Sequence, residues 1–112
     1  MKIELHMHTS RYSACAVHPP ELLLNCLTTC GYGAAFITEH NAVWPEDEIS
    51  ALQEQFPDIR IFPGVELSLG IDGGMHLLVL GTNDPAYLEM HDTEKVITAA
   101  RDAGHLTVLA HP

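Results

Sequence analysis

His6 and His8 stand two residues apart at the end of the alternating run Ile3-Glu4-Leu5-His6-Met7-His8. Side chains two apart on a strand project from one face, so two imidazoles there can hold one divalent ion at roughly 2.1 Å each. Alone, the pair reads more readily as two ordinary histidines, paired at the surface or in the core. Glu66, in Pro63-Gly64-Val65-Glu66, ends an apolar run. A carboxylate buried there needs a cation or a set of donors, and can bridge two metals; in water it would need neither. His40 after Thr38-Glu39, His76 in Met75-His76-Leu77-Leu78 and His111 after Leu106-Thr107-Val108-Leu109-Ala110 share this placement. The recurrence points to metal, because the blander readings would have to hold independently each time. Glu39 is more readily an orienter of an imidazole than a base, since a ligating ring usually donates its other N–H to a partner. Arg11, just past the His-x-His pair, could clamp a phosphate or simply be solvated. Tyr12, Ser13, Asn41 and Trp44 are weaker pocket candidates. His18, His91 and His105 flank helical segments and are expected at the surface.

The elements that must position these residues alternate. Lys2 to His8 has the period of a strand. Pro19-Pro20-Glu21 opens a leucine-rich helix running through Cys30, with Gly31 as its stop. Ala34 to Thr38 reads as a buried strand, and Pro45 to Phe56 as a helix with an acidic first turn. Ile59 to Glu66 is a third strand. Leu67 to Ile71, Asp72-Gly73-Gly74 and Met75 to Leu80 read as an extended arm, a glycine turn and a return strand. Asp92 caps a helix from Thr93 to Ala103 closed by Gly104, before a last strand from Leu106 to Ala110. This order predicts an α/β fold with a parallel sheet under helices, either doubly wound or a right-handed barrel. The barrel is preferred because its C-terminal rim would bring the polar residues together.

With 46% hydrophobic residues in 112, the composition supports one folded domain. Five basic against fifteen acidic residues, a formal charge of -10, repel a nucleic-acid backbone unless bound cations intervene. No signal-like or membrane-spanning apolar run occurs, so a cytoplasmic location is expected. Cys15, Cys26 and Cys30 match no structural zinc spacing and are expected to be reduced, Cys26 and Cys30 as small core residues on one helix face. A closed barrel usually needs 200 residues or more. The expectation is therefore roughly half a barrel, continued by further chain or covered by a partner at an open, self-associating sheet edge.

His6-Met7-His8-Thr9, Thr38-Glu39-His40-Asn41, Gly64-Val65-Glu66, His76-Leu77-Leu78 and Ala110-His111-Pro112, taken together, resemble the PHP (polymerase and histidinol phosphatase) superfamily across residues 1–112. The resemblance implies a distorted (β/α)7 TIM-like barrel, of which this chain supplies the first half, holding up to three zinc, manganese or iron ions at its C-terminal rim. It implies that His6 and His8 bind one metal with Glu66, which bridges to another. His40 would be a ligand of a second metal, and His76 and His111 ligands of a third shared with Glu66. Two positions depart from the pattern. Ala14 stands where many members have a further ligand, with the soft donor Cys15 beside it, and the family's closing Asp-x-His does not occur within these residues.

The expected activity is hydrolysis of phosphate esters, small phosphorylated metabolites or short nucleotides, by metal-activated water. No membrane partner is expected, nor nucleic acid beyond short nucleotides. Two other readings stand beside it: a non-catalytic, metal-stabilised module of the same family, and an amidohydrolase-like metallohydrolase, which also opens with His-x-His on a barrel strand.

Overall fold

The computed structural model describes residues 1–111. Five strands, β1 (Lys2–Met7), β2 (Tyr32–His40), β3 (Arg60–Leu69), β4 (Met75–Leu80) and β5 (Leu106–His111), form one sheet in chain order. Helices α1 (Pro20–Thr29), α2 (Glu46–Gln55) and α3 (Thr93–Ala103) cover one face. The sheet is mixed, which corrects the all-parallel expectation. β1, β2 and β3 run parallel, but β4 returns antiparallel against β3 and β5 pairs antiparallel with β4. The cause is the glycine turn: Gly70 and Gly73 both have positive φ, so the chain doubles back at once instead of crossing over through a helix.

Alternation along each strand sorts side chains between two environments. Met7, Ala35, Ile37 and Ile61 face Leu24 of α1 and Ile49 and Leu52 of α2, while Val65, Leu67, Leu77 and Val79 face Val96 and Ala100 of α3. At ~25 cal/mol per Å² of apolar surface, these two clusters are the main source of stability. Both helix ends expected for α3 form: Asp92 accepts from the Glu94 N–H, and Gly104 closes the helix at φ 83°. A 3-10 turn over Pro85–Glu89, opened by the Asp84 side chain, was not foreseen; its Tyr87 seals the second cluster. Cys26 and Cys30 are exposed, contrary to expectation. The buried stripe of α1 runs through Pro20 and Leu24, flanked by Leu23 and Leu27, and the two thiols fall on the Leu22 side.

The sheet is strongly curled. Four inter-strand steps would separate β1 from β5 by ~19 Å in a flat sheet. Instead the His6 and His111 rings lie 5.7 Å apart, centroid to centroid. The result is an open half-barrel with helices outside, a stacked Phe36–Phe62 pair inside, and unpaired edges at β1 and β5. Ile3 and Leu5 on one edge and Leu106 and Leu109 on the other are exposed. Among the described residues, no helix is long and apolar enough to cross a membrane.

Candidate metal centre

All five strands deliver a side chain to one end of the concave face, by different local devices. The simplest is the β2–β3 ladder, whose unbroken register sets His40 opposite Glu66. It is extended past the strand end by Asn41, whose N–H donates to the Glu66 carbonyl (2.9 Å). The Asn41 side chain accepts from the Ser68 N–H (3.0 Å) and donates to Ser68 Oγ (3.2 Å). Asn41 is the one described non-glycine residue at positive φ, 51°, a conformation asparagine tolerates better than most. Gly64, two residues before Glu66, leaves no room for a side chain: a Cβ would lie 3.0 Å from Thr38 Cγ2 and from the Val79 carbonyl oxygen.

The edge strands need bulges. In β1, Ile3 pairs with Ala34 and Met7 with Ile37, so four steps on β1 match three on β2. The extra residue lies between Glu4 and Met7, and the alternation expected from the sequence holds at the end of the strand. Met7 turns outward to the helices, and His6 and His8 turn inward to Glu66. In β5, His111 pairs with His76 but Leu109 with the adjacent Leu77. That extra residue swings His111 onto the face of His76, although β5 alternation alone would set it with Leu109.

Glu66, fully buried, is the hub of the five imidazoles. Its Oε1 lies 2.6 Å from His6 Nε2 and 2.9 Å from His8 Nε2. Its Oε2 lies 2.6 Å from His76 Nδ1, 3.6 Å from His111 Nε2 and 3.8 Å from His40 Nδ1. The rings pack around it, His8 stacked on His40 at 4.1 Å and His76 edge-on to His111 at 5.2 Å. Among the described residues no lysine or arginine pairs with this carboxylate. Burial alone would push its pKa up, but the hydrogen bonds from His6 and His76 and the charges of His40 and His6 outweigh that and hold it below the ordinary carboxylate value. Burial, reinforced by the neighbouring charges of His40 and His6 against the opposing pull of Glu66, lowers the His8 pKa.

Two sets of donors are close enough to share an ion: His6, His8 and Glu66, and His40, Glu66 and His76. His6 Nε2 and His8 Nε2 are 3.1 Å apart, and both point at the same oxygen. If both donated protons to Glu66, the two N–H groups would crowd each other; a cation would instead take a lone pair from all three atoms. A tetrahedral shell with ~2.1 Å bonds spaces its donors ~3.4 Å apart, so small side-chain rotations would seat an ion. The donor chemistry therefore fits a divalent metal. One feature lies outside the usual pattern: His8 Nδ1 is buried without the hydrogen-bond partner a ligating imidazole ordinarily finds.

The other expected site residues are placed differently. Glu39 hydrogen-bonds no imidazole directly. Buried, it accepts hydrogen bonds from the Thr9 N–H (2.8 Å), Ser13 Oγ (2.6 Å), Trp44 Nε1 (2.9 Å) and the Thr9 hydroxyl. Ser13 and Trp44 are thus buried braces rather than pocket lining. The Arg11 guanidinium lies 3.0 Å from Glu48 and 3.5 Å from Glu21, over the Trp44 ring. Cys15 is exposed and belongs to neither donor set. His18 and His91 are exposed, whereas His105 is half-buried against Gly81. The role of Thr9 escaped the sequence reading; its signal was its position directly after His-x-His.

No family model matches the sequence, and no curated protein does. Among solved structures, the chain is similar to a two-domain protein from Bacteroides vulgatus ATCC 8482 described as containing a predicted PHP-like metal-dependent phosphoesterase. The two share 22% identity over 96% of this chain, with a TM-score of 0.72, and the chain spans 34% of that protein. The likeness is one of fold; in this chain the histidines and Glu66 supply donor groups able to hold metal.

Proposed function

We propose that this chain forms the first part of a distorted (β/α)7 barrel that hydrolyses phosphate esters of small metabolites or short nucleotides, with His6, His8, His40, Glu66, His76 and His111 holding divalent metal. The observation that carries this reading is the division of Glu66: one carboxylate oxygen faces His6 and His8, the other His76, His111 and His40. A fully buried carboxylate without a fixed cationic partner costs several kcal/mol unless something positive joins it. Zinc, manganese or iron suits a donor set of imidazoles and one carboxylate.

Bound metal would supply Lewis acidity toward phosphoryl oxygens and lower the pKa of water. The chain's own residues do the rest. Glu66 holds two donor groups at a common centre, and the Asn41–Ser68 clip keeps His40 in register with it. His8 is biased toward the neutral form that binds metal. Arg11 is already paired with Glu48 and Glu21, so a phosphate would have to compete for it. That pairing also favours the second reading, a metal-stabilised module without catalysis.

Hydrolysis of a chromogenic phosphate monoester by the natural full-length protein, with manganese or zinc and after chelation, tests the proposal. Metal-dependent turnover is expected, together with a drop in thermal stability on chelation. Ligand linkage at a hundredfold excess over Kd contributes ~2.7 kcal/mol. Metal bound without turnover would favour the module, and absence of metal would reject both readings.

A further inference from the structure

We propose that Glu39 is a positioning residue whose buried carboxylate, acting through Thr9 and Ser13, fixes His8 against His40 and so couples the two donor groups that meet at Glu66. The inference rests on the metal-site reading above. Glu39 is fully buried, touches no imidazole, and has no cationic partner among the described residues. Four donors offset its desolvation instead. Oε1 accepts from the Thr9 N–H and Ser13 Oγ; Oε2 accepts from Trp44 Nε1 and the Thr9 hydroxyl.

The covalent neighbours give this network its purpose. Thr9 directly follows His8, and Glu39 directly precedes His40. Ser13 Oγ, besides donating to Glu39, accepts from the His40 N–H at 3.1 Å. One carboxylate therefore grips the backbone beside a histidine of each donor group, and the two rings stack at 4.1 Å, 20° from parallel. β1 and β2 are also joined here by Thr38 Oγ1, which accepts from the Met7 N–H (3.0 Å), but this contact lies beyond a bulge, where the ladder itself sets the spacing poorly.

A carboxylate is required. The Thr9 N–H and the Trp44 N–H can only donate, and they address different oxygens. In Glu39→Gln the amide NH2 must face one of them, whichever way the side chain turns.

The test uses the full chain, stripped of metal and titrated with Mn2+ by calorimetry, followed by electron paramagnetic resonance of the loaded protein. Two ions sharing the Glu66 carboxylate give an exchange-coupled spectrum; separated ions do not. Glu39→Gln and Ser13→Ala are expected to weaken the second ion ~10-fold or more, the range for loss of a group that orients ligands, and to abolish the coupled signal. Ser13→Ala removes a single small oxygen, so it decides the matter if Glu39→Gln does not fold. Gln53→Ala serves as the structural control. Gln53 bonds the Phe56 and Ile59 carbonyls and the Ile61 N–H at the opposite end of the sheet, so its loss should lower the melting temperature and leave both ions coupled. Retention of both ions and the coupled signal in folded Ser13→Ala overturns the inference alone. So does loss of coupling in Gln53→Ala. A wild-type chain that takes up no Mn2+ overturns the metal reading and the inference with it.

Discussion

The imidazoles of His8 and His40 stack at 4.1 Å with their planes 20° apart, from neighbouring strands, over the carboxylate of Glu66. Two such rings cannot both be charged without cost, and a bound metal would need each as a neutral donor.

This relationship adds to burial in shaping the pH dependence of the metal-free protein. The His8 pKa in the folded chain lies below 6.5, chiefly through burial. Between that lowered value and 6.5 the unfolded chain binds more protons, so stability rises with pH. The contribution is complete above 6.5 and is lost as pH falls through the folded value. Glu66, lowered from 4.5, acts in the same direction further down: its contribution is present above 4.5 and disappears as pH falls through its own lowered value. Thermal melts of chelated protein between about pH 8 and pH 3 should show an upper and a lower decline. His8→Asn should remove the upper one. A melting temperature that is flat below 6.5 would contradict the assignment.

Glu66→Gln is expected to be the most damaging single substitution for metal binding, because it is the only residue in both donor groups. Affinity at both should fall by at least the ~10–100-fold that loss of an outer hydrogen-bond partner already costs. His8→Ala should weaken mainly the group it shares with His6, and His18→Ala, at an exposed position, should change nothing. Metal stoichiometry by elemental analysis of the three variants checks the order. Near wild-type metal in Glu66→Gln would mean that no shared site exists.

Gly64→Ala should destabilise the chain by about 1–3 kcal/mol, as overpacking of a tight site does. The added Cβ would lie 3.0 Å from the Val79 carbonyl oxygen, a backbone atom that can retreat only by moving β4. Because His76 is on that strand, metal affinity should fall with stability. Urea denaturation gives the first quantity and metal titration the second; a neutral Gly64→Ala would place the neighbouring strand elsewhere.

Asn41 offers a graded series. Asn41→Ala loses both bonds to Ser68 and leaves an ordinary residue at φ 51°, at a cost of about 1–2 kcal/mol. Asn41→Gly loses the same bonds but relieves the backbone, and Asn41→Asp keeps the acceptor for the Ser68 N–H. Denaturation should therefore rank Asp above Gly above Ala. Equal stability of Gly and Ala would show that the left-handed conformation is not retained.

The amino-acid sequence by itself determined which side chains carry donor atoms and where the main elements lie. The spacing of apolar residues around Glu39-His40 and before Glu66, the caps of α3 and the Asp72-Gly73-Gly74 turn are local signals, fixed by side-chain period and φ preference over a few residues. That His6 and His8 share a face follows from their two-residue spacing, whereas the direction of His111 was not local. It depends on an extra residue in β5, and a bulge exists only relative to the strand it is paired with. The same is true of the burial of Glu39 and of the exposure of Cys26 and Cys30, which follow from what lies opposite each of them. An expected orienter of imidazole became the brace of the Thr9–Ser13 loop because donors of Thr9 and Ser13, distant in sequence, converge on it together with Trp44 Nε1. Periodicity reports one strand or helix at a time; the direction of a side chain at a sheet edge is a property of two strands together, and only the tertiary structure pairs them.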